Sequence, residues 1–178
     1  DEFEQRLARA TGSDVTRVYG LPLGTSTLVA SFSRTDQPPP EPGSSPYALI
    51  RTADVDYFEF MDIVVVRGRD FEATDRLGAG RVAVISQALA DQYFPDTDPI
   101  GRSIDLDLSL GVPEDQPRTI VGIVENVRST SLTEEPTPEL YIPVAQSVPG
   151  SLTYLVRTAQ PGSALQSARA ELRAMDPE

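Results

Sequence analysis

The apolar residues of this chain come in short runs, and that limits its architecture more than any other feature. Runs such as Ile63–Val66 and Val82–Ile85 fall far short of the ~20 residues that a membrane helix requires. Sixteen prolines and 12 glycines separate such runs, and these residues end strands and helices or turn the chain. Many short strands and few helices are therefore expected.

The pattern can be followed along the chain. Phe3, Leu7 and Ala10 lie at i, i+4 and i+7, one face of an amphipathic helix, and Gly12 stands where a C-terminal glycine cap belongs. Strand signals follow at Val15–Tyr19, Leu28–Phe32, Tyr47–Ala53 and Ile63–Val66, the last read as buried. Asp54 is placed to cap a brief helix through Asp56–Phe60. Val82–Ile85 reads as a strand, with Ser86 as the N-cap of a helix carrying Leu89, Tyr93 and Phe94 until Pro95 stops it. Ser103–Leu108 alternates strictly, Ile104, Leu106 and Leu108 on one face and Asp105 and Asp107 on the other. Thr119–Val124 is an apolar strand interrupted by Gly122, a bulge signal. Leu140–Val144 and Leu152–Arg157 are two further strands. In the final helix Leu165, Ala168, Leu172 and Met175 share one face. Strands and helices mix without a βαβ repeat, which defines an α+β fold. Thr35–Pro46 and Glu134–Pro138 are proline-rich and read as exposed loops.

Composition narrows the function. The 178 residues suffice to bury a core, and 39% hydrophobic with 24% charged residues is globular. A net charge of −12 and a pI near 4.4 repel nucleic acid and anionic lipid. The 15 basic residues are all Arg and are scattered, so no nucleic-acid partner is expected. No signal-peptide pattern opens the chain, and as given it reads as a soluble fragment.

The chain has no His and no Cys. That removes the commonest general base, the thiol nucleophile and the usual zinc ligands. Asp105 and Asp107 could chelate a cation, but a calcium loop started at Asp105 meets Leu110 at its sixth position and Gln116 at its twelfth, where Gly and Glu are needed. Asp70, Glu72 and Asp75 stand beside Arg67, Arg69 and Arg76 and read as exposed ion pairs. Glu134 and Glu135 lack a companion acid. Gly78, Gly80 and the stretch Gly20–Gly24 match no phosphate-binding pattern, and no Lys exists to reach a phosphate. No catalytic residue, metal ligand or cofactor site is expected, and the chain is not read as an enzyme.

A series of motifs carries a family resemblance. Asp56-Tyr-Phe-Glu-Phe-Met-Asp-Ile precedes Arg67-Gly-Arg-Asp-Phe and Thr74-Asp75. Arg81-Val-Ala-Val-Ile-Ser-Gln-Ala-Leu-Ala and Tyr93-Phe-Pro-Asp-Thr-Asp-Pro-Ile-Gly-Arg come next, then Ile120-Val-Gly-Ile-Val-Glu-Asn-Val-Arg, Pro138-Glu-Leu-Tyr-Ile-Pro and Val156-Arg-Thr. In this order they resemble the periplasmic core domain of MacB-type ABC transporter permeases, especially those without a fused ATPase. The resemblance is strongest over Asp54–Thr158 and looser over Asp1–Leu23.

The resemblance implies an extracytoplasmic domain inserted between two membrane helices and built in two lobes. A membrane-proximal, porter-like lobe would comprise 1–66 and 127–178, and a smaller mixed α/β lobe, 67–126, would be inserted in it. The implied partners are an ATP-binding subunit acting through the parent's membrane part and a periplasmic adaptor or second permease copy. Contact with the membrane would be through the parent's helices only. Both chain ends, Asp1 and Glu178, should then lie on one face. The motif residues themselves read as structural: Gly68 and Gly101 for turns, Phe71 and Phe94 for the core, Pro99 for a bend. Two other readings remain open, a module whose cleft captures a lipid, peptide or drug, and a hydrolase using two carboxylates.

Overall fold

The computed structural model of the chain describes residues 2–22, 24, 28–41, 43–108, 116–128, 135–147 and 149–175. Asp1, Glu134 and Glu178, on which expectations were placed, lie outside them. Among the described residues are nine strands and four α-helices. In order these are α1 (Glu2–Thr11), β1 (Val15–Tyr19), β2 (Leu28–Arg34), β3 (Tyr47–Ala53), α2 (Tyr57–Phe60), β4 (Val65–Gly68) and β5 (Val82–Ser86). Then come α3 (Gln87–Tyr93), β6 (Ser103–Leu106), β7 (Arg118–Val124), β8 (Glu139–Pro143), β9 (Thr153–Val156) and α4 (Pro161–Met175).

All nine strands join one mixed sheet in the order β2-β6-β7-β5-β8-β3-β1-β9, with β4 added on β7. The sheet closes on itself. β2 pairs with β3 through Leu28–Ser31 and with β6 through Phe32–Arg34, so β2, β6, β7, β5, β8 and β3 form a ring. Closure removes free strand edges, and the ring encloses one apolar interior. Each of the six strands contributes to it: Ala30 and Phe32, Ala48 and Ile50, Ala83 and Ile85, Ile104 and Leu106, Ile120 and Ile123, Leu140 and Ile142. Leu89, Ala90 and Phe94 from the α3 region pack against the same cluster.

The ring relates simply to the chain. Residues 67–126 supply one wall, β6-β7-β5, and the flanking segments supply the other, β8-β3-β2. The walls meet at two hydrogen-bonded seams, β5–β8 and β2–β6, and share the interior. Ile85, Leu89 and Phe94 thus pack with Ala30, Ile50 and Leu140, across the boundaries expected near 67 and 126.

Local chemistry explains the elements. β5 and β8 are buried at every residue because one face lines the ring and the other meets a second cluster around Tyr57, Phe58, Phe71, Val84 and Tyr141. That double burial requires apolar residues on both faces. Ser86 caps α3 as expected, its hydroxyl accepting the Leu89 N–H at 3.3 Å. Gly12 takes φ +62 and donates its N–H to the Ala8 carbonyl at 2.8 Å, ending α1. At Gly122 the pairing of β5 with β7 shifts register. A Cβ there would lie 2.1 Å from the Arg69 carbonyl oxygen, and one at Gly68, φ +73, would lie 2.2 Å from the Val121 oxygen. Only glycines let these backbones approach so closely.

Three expectations change. The strand expected at Ile63–Val66 runs instead over Val65–Gly68; Ile63 is buried, but Val64 and Val66 are exposed, because β4 pairs on one side only and carries a bulge. Asp54 does not cap α2. Asp56 precedes that helix without a side-chain cap, and the Asp54 carboxylate bonds Arg17 and the Val55 N–H. In α4 the expected seam is rotated outward: Leu165, Leu172 and Met175 are exposed, while Ala164 is buried and Ala168 packs on α1 and its neighbours.

Candidate functional site

The feature that distinguishes this molecule is a unit built from both ends of the described chain. β1 pairs with β9 in antiparallel register over four residues, Val15–Val18 against Thr153–Val156. α1 and α4 cover this ribbon. Phe3, Leu7 and Val15 form a small core with Ala8, Tyr154, Val156 and Ala168, and the Phe3 and Tyr154 rings meet edge to face at 4.8 Å. The small residues Ala164 and Ala168 let the two helices approach.

The helices run antiparallel. Arg6, in the middle of α1, donates to Glu171, in the last third of α4, at 2.8 Å, whereas Ala10 and Thr11, at the end of α1, lie beside Ser163 and Ala164, near the start of α4. The first turn of α1 and the last turn of α4 are therefore at the same end of the pair.

This unit meets the ring at a narrow junction. β1 pairs with β3 at only two positions, Val18 with Ala53 and Tyr19 with Thr52. Past it the Asp54 N–H donates to the Arg17 carbonyl at 3.1 Å. Side chains reinforce the crossing: Arg17 donates from Nε to Asp54 at 2.6 Å and lies 3.0 Å from Glu4, and the Thr16 hydroxyl donates to Asp56 at 2.6 Å. Farther along, Arg157 donates to the Phe60 carbonyl and stacks over the Phe60 ring at 5.1 Å. Beside these contacts is an open cleft of about 560 Å³ between the unit and α2, lined by Ser13, Asp14 and Arg157 on one side and Asp56, Glu59 and Asp62 on the other.

Behind the junction lies a buried polar group that the sequence reading missed. Arg51 of β3 donates to Glu139 of β8 at 2.9 Å, both almost fully enclosed. The Tyr141 hydroxyl donates to the second Glu139 oxygen, and the Glu139 N–H donates to the Ser86 hydroxyl at 3.0 Å. Burial, with the Glu139 charge beside it, pushes the Tyr141 hydroxyl well above its ordinary value, and burial pushes Tyr57 up to about 12. The signal was present: Leu-Ile-Arg51-Thr-Ala and Glu139-Leu-Tyr-Ile-Pro each set a charge within an apolar strand, and a buried charge needs a partner.

The acidic candidates fall in different places. Asp75 is not in an exposed pair; it is buried, takes two bonds from Arg69 at 2.7 and 3.0 Å, and accepts the Glu72 N–H at 2.8 Å. It staples its own loop. Arg67 pairs instead with Asp98, in the open at 2.6 Å. Asp70 is pushed up to about 6, first by burial and then by the charges of Asp56 and Glu59. Asp105 is exposed on β6, and Asp107 accepts from Ser31 at 3.3 Å. Among the described residues no group of three acidic side chains is arranged to hold a metal, and no helix is long and apolar enough to cross a membrane.

Comparison with known proteins gives this arrangement a context. The extracellular domain of the noncanonical ABC-type transporter YknZ from Gram-positive bacteria superposes with a TM-score of 0.67 at 16% identity, over 99% of this chain and 83% of that one. The periplasmic region of MacB from Actinobacillus actinomycetemcomitans gives 0.61 at 13% identity, over 100% and 91%. The fold is thus that of extracytoplasmic domains of ABC transporters. Residues 4–175 match the MacB-like periplasmic core domain, and the chain belongs to that family. Two ABC transporter permeases of Bacillus subtilis (strain 168) are each 30% identical: YvrN over 100 residues, 54% of this chain, and YknZ over 87 residues, 49%. The matched stretches span 23% and 20% of those permeases' own length. The molecule is an extracytoplasmic domain of a MacB-like ABC transporter permease.

Proposed function

We propose that this domain couples motion of its parent's membrane helices, driven by a separate ATP-binding subunit, to export or mechanical work outside the membrane. The observation that carries the reading is the antiparallel α1–α4 pair, tied by Arg6 and Glu171. It presents the first turn of one terminal helix and the last turn of the other at the same end, where force from two flanking helices would enter together. From there β1 hands displacement to β3, and β3 is a stave of the ring. In this reading 1–66 and 127–178 are the membrane-proximal part, and 67–126 is a distal wall that rides on it. A periplasmic adaptor or a second permease copy would receive the motion, and the domain itself performs no catalysis.

Capture of a lipid or an apolar drug finds less support, because the cleft beside the junction sets Asp14, Asp56, Glu59, Asp62 and Arg157 among its few apolar residues, Ala8, Val15 and Phe60, a poor match for hydrocarbon. A carboxylate hydrolase finds less still, since Asp75 is consumed by Arg69.

The test uses the full-length permease with its ATP-binding subunit. Asp62→Cys and Arg157→Cys, in a domain that has no cysteine of its own, are joined by a short bis-maleimide across the cleft. ATP-driven activity should fall at least tenfold when both sites are joined and stay normal when either cysteine is blocked singly. Full activity of the joined protein rejects coupling through movement of the terminal unit against α2.

A further inference from the structure

The geometry points to a hinge inside the domain: α1, β1, β9 and α4 swing as one body on the ring, with Val18 and Tyr19 against Thr52 and Ala53 as the pivot. This rests on the coupling reading above and specifies where the motion would be taken up.

Four independent observations converge on that line. The terminal unit has a core of its own, drawn only from α1, β1, β9 and α4. Its internal ladder is twice as long as its link to the ring, four residue pairs for β1–β9 against two for β1–β3. A body with its own core and a short ladder to its neighbour opens at the ladder before it opens within. Third, β3 changes partner along one edge: Tyr47–Ile50 pair with β2, and only the last two residues, Thr52 and Ala53, pair with β1. The ring can keep its seams while the β1 ladder bends. Fourth, an open cleft of about 560 Å³ lies beside the pivot, with Ser13, Asp14 and Arg157 on one side and Asp56, Glu59 and Asp62 on the other, and leaves room for the angle between them to change.

Polar contacts set the resting angle. Arg17, held between Glu4 of its own unit and Asp54 beyond the junction, and Thr16 on Asp56, act as a latch close to the pivot. Arg157 on the Phe60 carbonyl and ring is a second clasp at the mouth of the cleft. Val18 and Leu155 reach into the cluster of Tyr57 and Phe58 and keep the pivot apolar, so it bends and does not come apart.

The experiment needs neither ATP nor transport, so its outcome is separate from that of the coupling test. Spin labels are placed on this chain at exposed positions, one pair within the unit (Arg9→Cys with Arg173→Cys) and one across the hinge (Arg173→Cys with Leu77→Cys), and pulsed electron resonance gives the distance distributions. With Arg17→Ala and Thr16→Val added, the across-hinge distribution should at least double in width while the within-unit distribution keeps its width. Both staying narrow, or both broadening, overturns the hinge. Hydrogen exchange of the unaltered chain covers the case in which the latch variant does not fold. The Asp54 amide at the junction should exchange at least tenfold faster than the amides of the β1–β9 and β3–β8 ladders, and an equal rate overturns the proposal. A hinge found here, together with an active cross-linked permease, would reject coupling through that movement and leave the hinge standing. The absence of a hinge leaves coupling by motion of the domain as a whole.

Discussion

Asp70 shows how a single side chain reports on the packing around it. Its carboxylate accepts the Phe71 N–H, yet burial and the nearby Asp56 and Glu59 raise it from 3.8 to about 6. The folded state therefore holds the proton more tightly than the unfolded chain does. Stability attached to this group is present in full below about pH 4 and is lost as pH rises through 6. Asp70→Asn keeps an acceptor for Phe71 and removes the charge. The variant should melt about 2–4 °C higher at pH 7.5, with the gain shrinking to nothing by pH 4; melting curves at several pH values check it. A pH-independent difference would mean that the charge is not what the site resists. Nothing in the sequence around Arg67-Gly-Arg-Asp-Phe revealed this, because Asp56 and Glu59 are brought near only by the turn at Gly68 and the packing of Phe71 on Phe58.

At the scale of elements, what could be read in advance was local. Ser86 as a cap, Gly12 as a helix end, the alternation through Ile104 and Leu106 and the bulge at Gly122 depend on neighbours in sequence, and the structure has them all. The partners of the strands depend on closure of the ring, which no local pattern encodes. So the sequence could not say that β4 would have one exposed side, or that α4 would pack through Ala164 and Ala168 and leave Leu165 and Leu172 outside. The Arg51–Glu139 pair belongs to this scale, because it joins parallel strands β3 and β8 behind the junction. Glu139→Leu or Arg51→Met alone strands a buried charge and should cost about 3–5 kcal/mol. The double variant Arg51→Met with Glu139→Leu should recover most of that, since two apolar side chains replace two matched charges. Urea midpoints of the three variants decide, and a double variant as unstable as the sum of the singles would contradict this account of the pair.

At the scale of the molecule, the described residues form a closed ring with the terminal unit joined to it through the short β1–β3 ladder. Family membership was legible from the order of the motifs, in which Phe71 and Phe94 are held by packing and Gly68 and Gly122 by close backbone approach. The terminal unit was legible only as two amphipathic helices; that they pair antiparallel through Arg6 and Glu171 follows from contacts 165 residues apart. If the unit is where membrane motion enters, its angle to the ring must follow the state of the ATP-binding subunit. The most direct measurement labels the full-length permease at Arg173→Cys on α4 and Asp91→Cys on α3 and compares the distance between them without nucleotide and with a non-hydrolysable ATP analogue. The account predicts two distinct distributions, with the nucleotide moving the population from one to the other. One unchanged distribution in both states, while labels on the membrane helices do move, would contradict it.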